Sequence, residues 1–224
     1  MYPDKIVDPK KLLCSWSGGK DSCFALMKTK TAGNIPTVLL NVLNEEGKIS
    51  RSHGIPVGIL KAQAAAIGIL IQTISSSWNN YETNFVGELK QLKGKYEVSA
   101  AVFGDIDLLA HREWEEKVCA TAGLGCMLPL WQQNRQDLVI SMLQNNIECI
   151  IVSCNEILGE EFLGKKLTVE LIAALAEKGV DVCGENGEFH TLVTSCPLFA
   201  YPIKVEVKAK LHYGNYWFTD LQLA

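Results

Sequence analysis

The chain has 224 residues, 48% of them hydrophobic and 21% charged. That is enough apolar material for one large domain or a domain with a smaller companion, in a soluble globular protein. A net charge of −4 without a run of lysine or arginine argues against a nucleic-acid partner and against an anionic membrane surface.

Met1-Tyr2-Pro3-Asp4-Lys5 holds no apolar leader core, and the run from Ala64 to Ile71 is far too short to span a bilayer, so a cytoplasmic location is expected. Lys11–Trp16 reads as a short buried strand. Asp21–Thr31 reads as a helix with Cys23, Leu26, Met27 and Lys30 on one face, the first three apolar. Between them lies Ser17-Gly18-Gly19-Lys20-Asp21-Ser22. A glycine turn at a helix N-terminus offers orphan N–H donors and the positive end of the helix dipole to an anion. Gly18 and Gly19 let the backbone approach a phosphate, Ser17 and Ser22 add hydroxyl donors, and Lys20 adds a charge. The spacing is neither G-x-x-x-x-G-K-[ST] nor G-x-G-x-x-G. A glycine turn that only caps a helix would explain Gly18-Gly19 alone, but not all six residues at a strand-to-helix junction.

Further strands are expected at Thr37–Leu43, Ile69–Ile74, Val98–Gly104, Gly125–Leu130 and Ile147–Ser153. Helices are expected at Val57–Ile67, Asn80–Leu92, Ala110–Ala122, Arg135–Gln144 and Val169–Lys178, with Asn79 and Glu82 at the spacing of a capping pair. The alternation argues for an α/β fold, a parallel sheet with helices on both faces and ligands at the carboxyl ends of its strands. Pro129–Asn134 reads as a strand end and linker. Beyond Pro202, Ile203, Val205, Val207, Ala209 and Leu211 alternate with Lys204, Glu206, Lys208 and Lys210, the pattern of a half-exposed strand. Tyr213–Phe218 reads as a turn into one more strand, and the edge of this C-terminal pair is a candidate surface for a homodimer. None of the eight cysteines is spaced C-x-x-C, and several lie in apolar runs, so buried reduced thiols are expected. Cys183 and Cys196, which flank a second motif, are the candidates for a reactive thiol.

That motif is Gly184-Glu185-Asn186-Gly187-Glu188-Phe189-His190-Thr191, two carboxylates, an amide, an imidazole and a hydroxyl on an expected tight loop. The first motif resembles the pyrophosphate loop of the N-type ATP pyrophosphatases. The two together resemble the diphthine–ammonia ligase family of that superfamily. The resemblance runs over nearly the whole chain, through His53-Gly54, Gly104-Asp105-Ile106, Arg112-Glu113-Trp114-Glu115, Leu128-Pro129-Leu130-Trp131 and Pro197-Leu198-Phe199. Ser195-Cys196 stands before Pro197 where the family pattern has Asp-Gly.

The resemblance implies a Rossmann-like (HUP-type) nucleotide-binding domain over residues 1–131 and a smaller α+β substrate-binding domain over 132–224. It implies an ATP-dependent ligase that adenylates a carboxylate, releases pyrophosphate, and amidates the acyl-adenylate with ammonia. The acceptor implied is diphthine on a translation elongation factor. Ser17, Gly18, Gly19, Lys20, Asp21, Ser22 and Gly104 would bind ATP, with Trp16 and Asn41–Leu43 shaping the adenine pocket. Asp21 would hold Mg²⁺ or cap the helix. His53, Glu185, Asn186, Glu188 and Thr191 would meet the acceptor, the two glutamates binding a cationic group or magnesium, and His190 would orient ammonia or take its proton. Lys20, Asp21, Glu188 and His190 are the expected catalytic set. A tRNA-modifying enzyme of the superfamily would show a basic face. A ligase for another small carboxylate shares every feature but diphthine. A non-enzymatic nucleotide-binding module leaves Gly184–Thr191 without a purpose.

Overall fold

The computed structural model describes residues 9–224, so Met1–Lys5 and the reading made of them lie outside the described residues. The first sheet is built from β1 (Lys11–Ser15), β2 (Ile35–Leu43), β3 (Leu70–Ser75), β4 (Ala100–Val102) and β5 (Gly125–Met127). Its order is β3-β2-β1-β4-β5 and every pairing is parallel. The connecting helices are α1 (Lys20–Thr31), α2 (Val57–Ile67), α3 (Tyr81–Tyr96) and α4 (Leu109–Ala122).

Leu12, Leu13 and Cys14 are all fully buried, because both faces of a parallel sheet are covered and its strands are apolar without alternation. Successive residues still point to opposite faces. Leu12 and Cys14 pack with Phe24 of α1 and Leu60 of α2, whereas Leu13 packs with Phe85 of α3 and Val118 of α4.

The second half holds α5 (Arg135–Gln144), β6 (Glu148–Asn155), a single 3₁₀ turn at Glu160–Phe162, α6 (Val169–Glu177), β7 (Phe189–Ser195), β8 (Val205–Tyr213) and β9 (Tyr216–Leu223). Its antiparallel sheet has the order β7-β6-β9-β8. Leu138, Ile151 and Leu192 from this half join the same apolar cluster as Leu12 and Phe24, so the two sheets share one core. A two-residue turn, Gly214-Asn215, joins β8 to β9, with Gly214 at the positive φ of 59° that such hairpins need.

Four expectations change. The strands expected to reach Gly104 and Leu130 end at Val102 and Met127; past Val102 the chain leaves the ladder and Phe103–Asp105 border the cleft. Asn79 and Glu82 form no capping pair: Asn80 stands at the N-cap without a side-chain bond, and Glu82 accepts from Trp114 Nε1 and Lys117 Nζ of α4. The strand at Val205 has no buried face, since it pairs only with β9, and Val207 and Leu211 are 39% and 37% exposed. Phe189, His190 and Thr191 are not loop residues but the start of β7, hydrogen-bonded to β6. Among the described residues no helix is long and apolar enough to cross a membrane.

Candidate active site

The sheet order reverses direction between β1 and β4, and the crevice outside the carboxyl ends of those two strands is where open α/β sheets bind ligands. Ser17–Ser22 leaves β1 there, and Gly104 follows β4. Both glycines of the loop are required by space. Gly18 has φ +86°, and a Cβ on it would lie 2.9 Å from Gln63 Oε1 and Leu60 Cδ2. A Cβ on Gly19 would lie 2.7 Å from His53 Cε1 and 3.0 Å from Thr191 O. Gly104 packs its backbone on the start of α1, where a Cβ would stand 2.7 Å from Asp21 C and Ser22 N. Ser17 Oγ bonds Ser22 Oγ at 3.0 Å and accepts from Gly19 N at 3.2 Å, which holds the turn closed.

Gln63 anchors this loop, a role the sequence reading did not assign. Wholly buried, its amide donates to Gly18 O at 3.0 Å and Val193 O at 2.7 Å, while its carbonyl accepts from Trp16 Nε1 at 3.0 Å. Its one outward sign is a glutamine on the apolar face of α2 beside Leu60 and Ala64.

Lys20 is 2% exposed, with Nζ donating to Asp21 Oδ2 at 2.9 Å and to Cys183 O at 2.5 Å and lying 5.4 Å from the centre of the Phe189 ring. Burial works against its charge, but Asp21 outweighs that and the lysine's pKa is raised. Burial also raises the Asp21 carboxyl against the pull of Lys20, and Asp21 Oδ1 is buried without a partner. Thr191 Oγ1 accepts from Lys20 N at 3.1 Å. The second motif therefore closes directly over the first.

A cavity of about 880 Å³ opens between them. Ser17, Lys20, Asp21, Ser22, His53 and Gly104 line it on one side; Glu185, Asn186, His190 and Thr191 line it on the other. Gly18 and Gly19 are not among the lining residues; the side on which each would carry a Cβ faces Gln63 and His53 respectively. Glu188 is not among them either. It accepts from Asn186 N and Nδ2, each at 3.1 Å, and borders a separate groove beside Arg135 and Asp181. A smaller cleft of about 150 Å³, bordered by Trp16, Leu40, Asn41 and Val42, joins the main one at Ser17 and His53. Asn41 Nδ2 donates to Trp16 O at 2.8 Å, which leaves its buried Oδ1 unpartnered. Leu43 is not among the residues bordering this cleft.

The turn before β7 is held by residues the sequence reading passed over. Arg135 pairs with Asp107 at 2.5 Å and with Asp181 at 2.8 Å, and Asp181 Oδ2 in turn accepts from Glu185 N at 2.7 Å. Gly184, at φ +69°, has no room for a side chain, since a Cβ would meet Phe189 O at 2.6 Å. Cys183 donates to Arg135 O, and burial pushes its thiol up to about 12, the reverse of a reactive thiolate. All eight cysteines are free, and only Cys126 is not fully buried.

His190 stacks on His53 with centroids 4.5 Å apart and planes inclined by 23°. Burial, reinforced by Lys20, pulls the His190 pKa down to about 4, and burial with His190 beside it holds His53 well below its ordinary 6.5. Both rings are neutral at pH 7. Across the cavity, Glu185 Oε1 accepts from Ile106 N at 2.9 Å, and burial lifts its carboxyl to about 7. Asp105 bonds His111 Nδ1 at 2.7 Å. Burial opposes its ionisation, but His111 and Glu115 outweigh that and its pKa is lowered. Glu115, 3% exposed, is pushed up to about 11 by burial and by Asp105.

Two family models match this chain: the diphthamide synthase N-terminal domain over residues 10–126 and the diphthamide synthase C-terminal domain over residues 134–223. The chain is similar to the diphthine–ammonia ligase of Rattus norvegicus, 31% identical over 226 residues that cover 88% of this chain and 83% of that protein. It is 32% identical to the diphthine–ammonia ligase of Homo sapiens over 219 residues, covering 85% and 80% of the two chains. It is 29% identical over 227 residues to that of Schizosaccharomyces pombe, covering 92% of this chain and 38% of the yeast protein.

Proposed function

Because the chain belongs to the diphthamide synthase family, we propose that it amidates the carboxylate of diphthine on a translation elongation factor, using ATP and ammonia. The protein is an ATP-dependent ligase. A carboxylate is a poor electrophile, being anionic with oxide as its leaving group. Its attack on the α-phosphorus of ATP makes an acyl-adenylate and releases pyrophosphate. Ammonia then adds to the carbonyl, the added nitrogen gives up one proton to solvent, and AMP leaves with the electron pair of the broken C–O bond.

The observation that carries this reading is the joining of the two motifs through Lys20, whose N–H meets Thr191 Oγ1 and whose Nζ meets Cys183 O. A phosphate loop closed over by a polar segment is what a two-substrate transfer needs: one side holds the departing pyrophosphate, the other the acceptor. In this reading the Ser17 and Ser22 hydroxyls and Lys20, which line the cavity at the start of α1, hold the β and γ phosphates, and the Gly18-Gly19 turn fixes their positions from behind. Lys20 offsets the charge that develops on them. The cleft beside Trp16 and Asn41 takes the adenine. His53, Glu185, Asn186 and Thr191 border the acceptor.

His190 is neutral and too weak a base to deprotonate ammonium, so its role is to accept a hydrogen bond from the incoming ammonia. Glu188 supports the loop through Asn186 rather than touching substrate. The free, buried Asp21 Oδ1 fits magnesium, which takes one or two carboxylates and keeps several waters. When bound there, Mg²⁺ would neutralise phosphate charge. Residues 1–131 would supply the nucleotide site and 132–224 the acceptor side. A homodimer, if formed through the β8 edge, would have to accommodate Glu206, Lys208 and Lys210 there.

The test is the nucleotide product formed with ATP, Mg²⁺, ammonium and diphthine-bearing elongation factor. AMP and pyrophosphate that depend on the factor support the reading. AMP with another carboxylate only would keep the chemistry and remove diphthine, and ADP with phosphate would overturn both.

A further inference from the structure

In the reading above, the adenine of ATP lies in the small cleft, and the β and γ phosphates lie in the main cavity at Ser17, Ser22 and Lys20. The α-phosphate joins the nucleoside to the β-phosphate, so it falls where the two clefts meet. Five residues border both: Ser15, Ser17, Ser52, His53 and Tyr81. Tyr81 is the first residue of α3 and has no part in the chemistry so far. Its ring is fixed by packing, with centroids 5.6 Å from Trp78, 6.1 Å from Phe85 and 5.7 Å from Trp114. Among the described residues its hydroxyl has no hydrogen-bond partner and is not enclosed, so it stands free at the junction. The charged and acidic groups that act on it lie to both sides. Arg51 borders the small cleft, and Asp105 and Glu115 border the main cavity. Burial pushes the phenol up to about 12, so it keeps its proton at pH 7 and has it to offer.

We propose that the Tyr81 hydroxyl donates a hydrogen bond to a non-bridging oxygen of the ATP α-phosphate and is a catalytic residue of adenylate formation. The inference rests on the amidation reading above. In that step a carboxylate oxygen of the acceptor bonds to the α-phosphorus. The bond from phosphorus to the bridging oxygen of pyrophosphate breaks, and that oxygen leaves with the electron pair. Two anions must approach each other in a cavity that Asp21 and Asp105 also border, so the phosphate oxygens need donors aimed at them. The other junction residues supply less. Ser17 Oγ is engaged with Ser22 Oγ and Gly19 N. His53 Nδ1 lies 3.2 Å from Thr191 O, a carbonyl that can only accept, so the neutral ring has only its bare Nε2 left and cannot donate. Ser15 and Ser52 carry hydroxyls on a single bond that turns freely. The Tyr81 hydroxyl is held in place by its packed ring, so aiming it costs no reorganisation when the reaction occurs.

Two measurements on the full chain test the assignment with Tyr81→Phe, which keeps the packed ring and removes only the hydroxyl. The first is calorimetric titration with adenosine and with AMP, which differ by the α-phosphate. The variant should bind AMP about tenfold or more weakly, as expected for a lost bond to a charged group, and adenosine as well as the wild type does. The second is exchange of labelled pyrophosphate into ATP with diphthine-bearing elongation factor and no ammonium, which reads adenylate formation alone. The exchange rate should fall about 10²–10³-fold, the range for one preorganised donor. Equal weakening of adenosine and AMP would place the hydroxyl on the nucleoside and overturn the assignment. Weakened AMP binding with a full exchange rate would overturn the catalytic role, and no change in either measurement would overturn the contact itself. If the wild type shows no exchange with any acceptor, the amidation reading fails, and the difference between AMP and adenosine still decides whether Tyr81 meets the α-phosphate.

Discussion

Lys20 and Thr191 stand 171 positions apart in the chain and are joined by a hydrogen bond of 3.1 Å, from the backbone N–H at the start of α1 to the threonine hydroxyl at the start of β7. The bond sets the distance between the glycine loop Ser17–Ser22 and the start of β7. Thr191→Val keeps the shape of a side chain 1% exposed and removes the acceptor. The expected cost is about 1–3 kcal/mol in urea unfolding, from a buried N–H left unpaired. Thr191→Ser should restore both stability and ATP turnover; equal losses in the two variants would show that the methyl group and not the hydroxyl matters.

Glycines in this chain divide by what surrounds them. Gly104→Ala drives a methyl into the backbone of Asp21 and Ser22, which cannot move aside, so α1 must shift. We expect a loss of about 1–3 kcal/mol and a weakened ATP KM. Gly94→Ala, inside α3 with nothing within 4 Å of the new methyl, should stabilise by about 0.5–1 kcal/mol. Paired chemical denaturation of the two variants reads both signs in one experiment.

The stacked pair His53 and His190 makes stability depend on pH. Each is depressed in the folded state below the ordinary 6.5, His190 to about 4. The unfolded chain therefore binds protons first as pH falls. The stabilisation held by neutral rings is complete above pH 6.5 and drains away between there and about 4. The unfolding midpoint should fall across that window, and His190→Gln should flatten the fall. A midpoint equally pH-dependent in the variant would assign the effect to other groups.

The two glutamates of the second motif should behave differently. Glu185 lines the cavity, whereas Glu188 faces a neighbouring groove and bonds Asn186. Lys20→Met should lower kcat about 10²–10³-fold, the range for removing one preorganised donor from a transition state. Glu185→Gln should change the KM for the acceptor, and Glu188→Gln should alter turnover less than either. A loss in Glu188→Gln as deep as in Lys20→Met would bring that side chain into the reaction.

Much of the architecture is visible in local pattern. The unbroken apolar run Leu12-Leu13-Cys14 signals a strand covered on both faces, and the period of Val57–Ile67 and Arg135–Gln144 sets two helices at the bounds observed. The turn Ser17–Ser22 is legible because what it requires, glycines between a strand and a helix, is local. The start of β7 was missed for the complementary reason. Phe189-His190-Thr191 follows two glycines and carries polar residues, and only its ladder with β6 makes it a strand.

By itself the sequence determined most of the helices and strands of the first half, that they wind a parallel sheet, and that a glycine turn lies between its first strand and first helix, since each follows from spacing within a few residues. The tertiary structure alone decided which residues share the site. Gln63 under the loop, the His53–His190 stack, the Arg135–Asp181 clamp and the buried Glu115 all depend on the β3-β2-β1-β4-β5 order and on the antiparallel sheet closing over it. Periodicity states which face of an element is apolar, but the partner that covers it is chosen by packing between parts of the chain more than 40 residues apart, as in the 47 positions from Trp16 to Gln63.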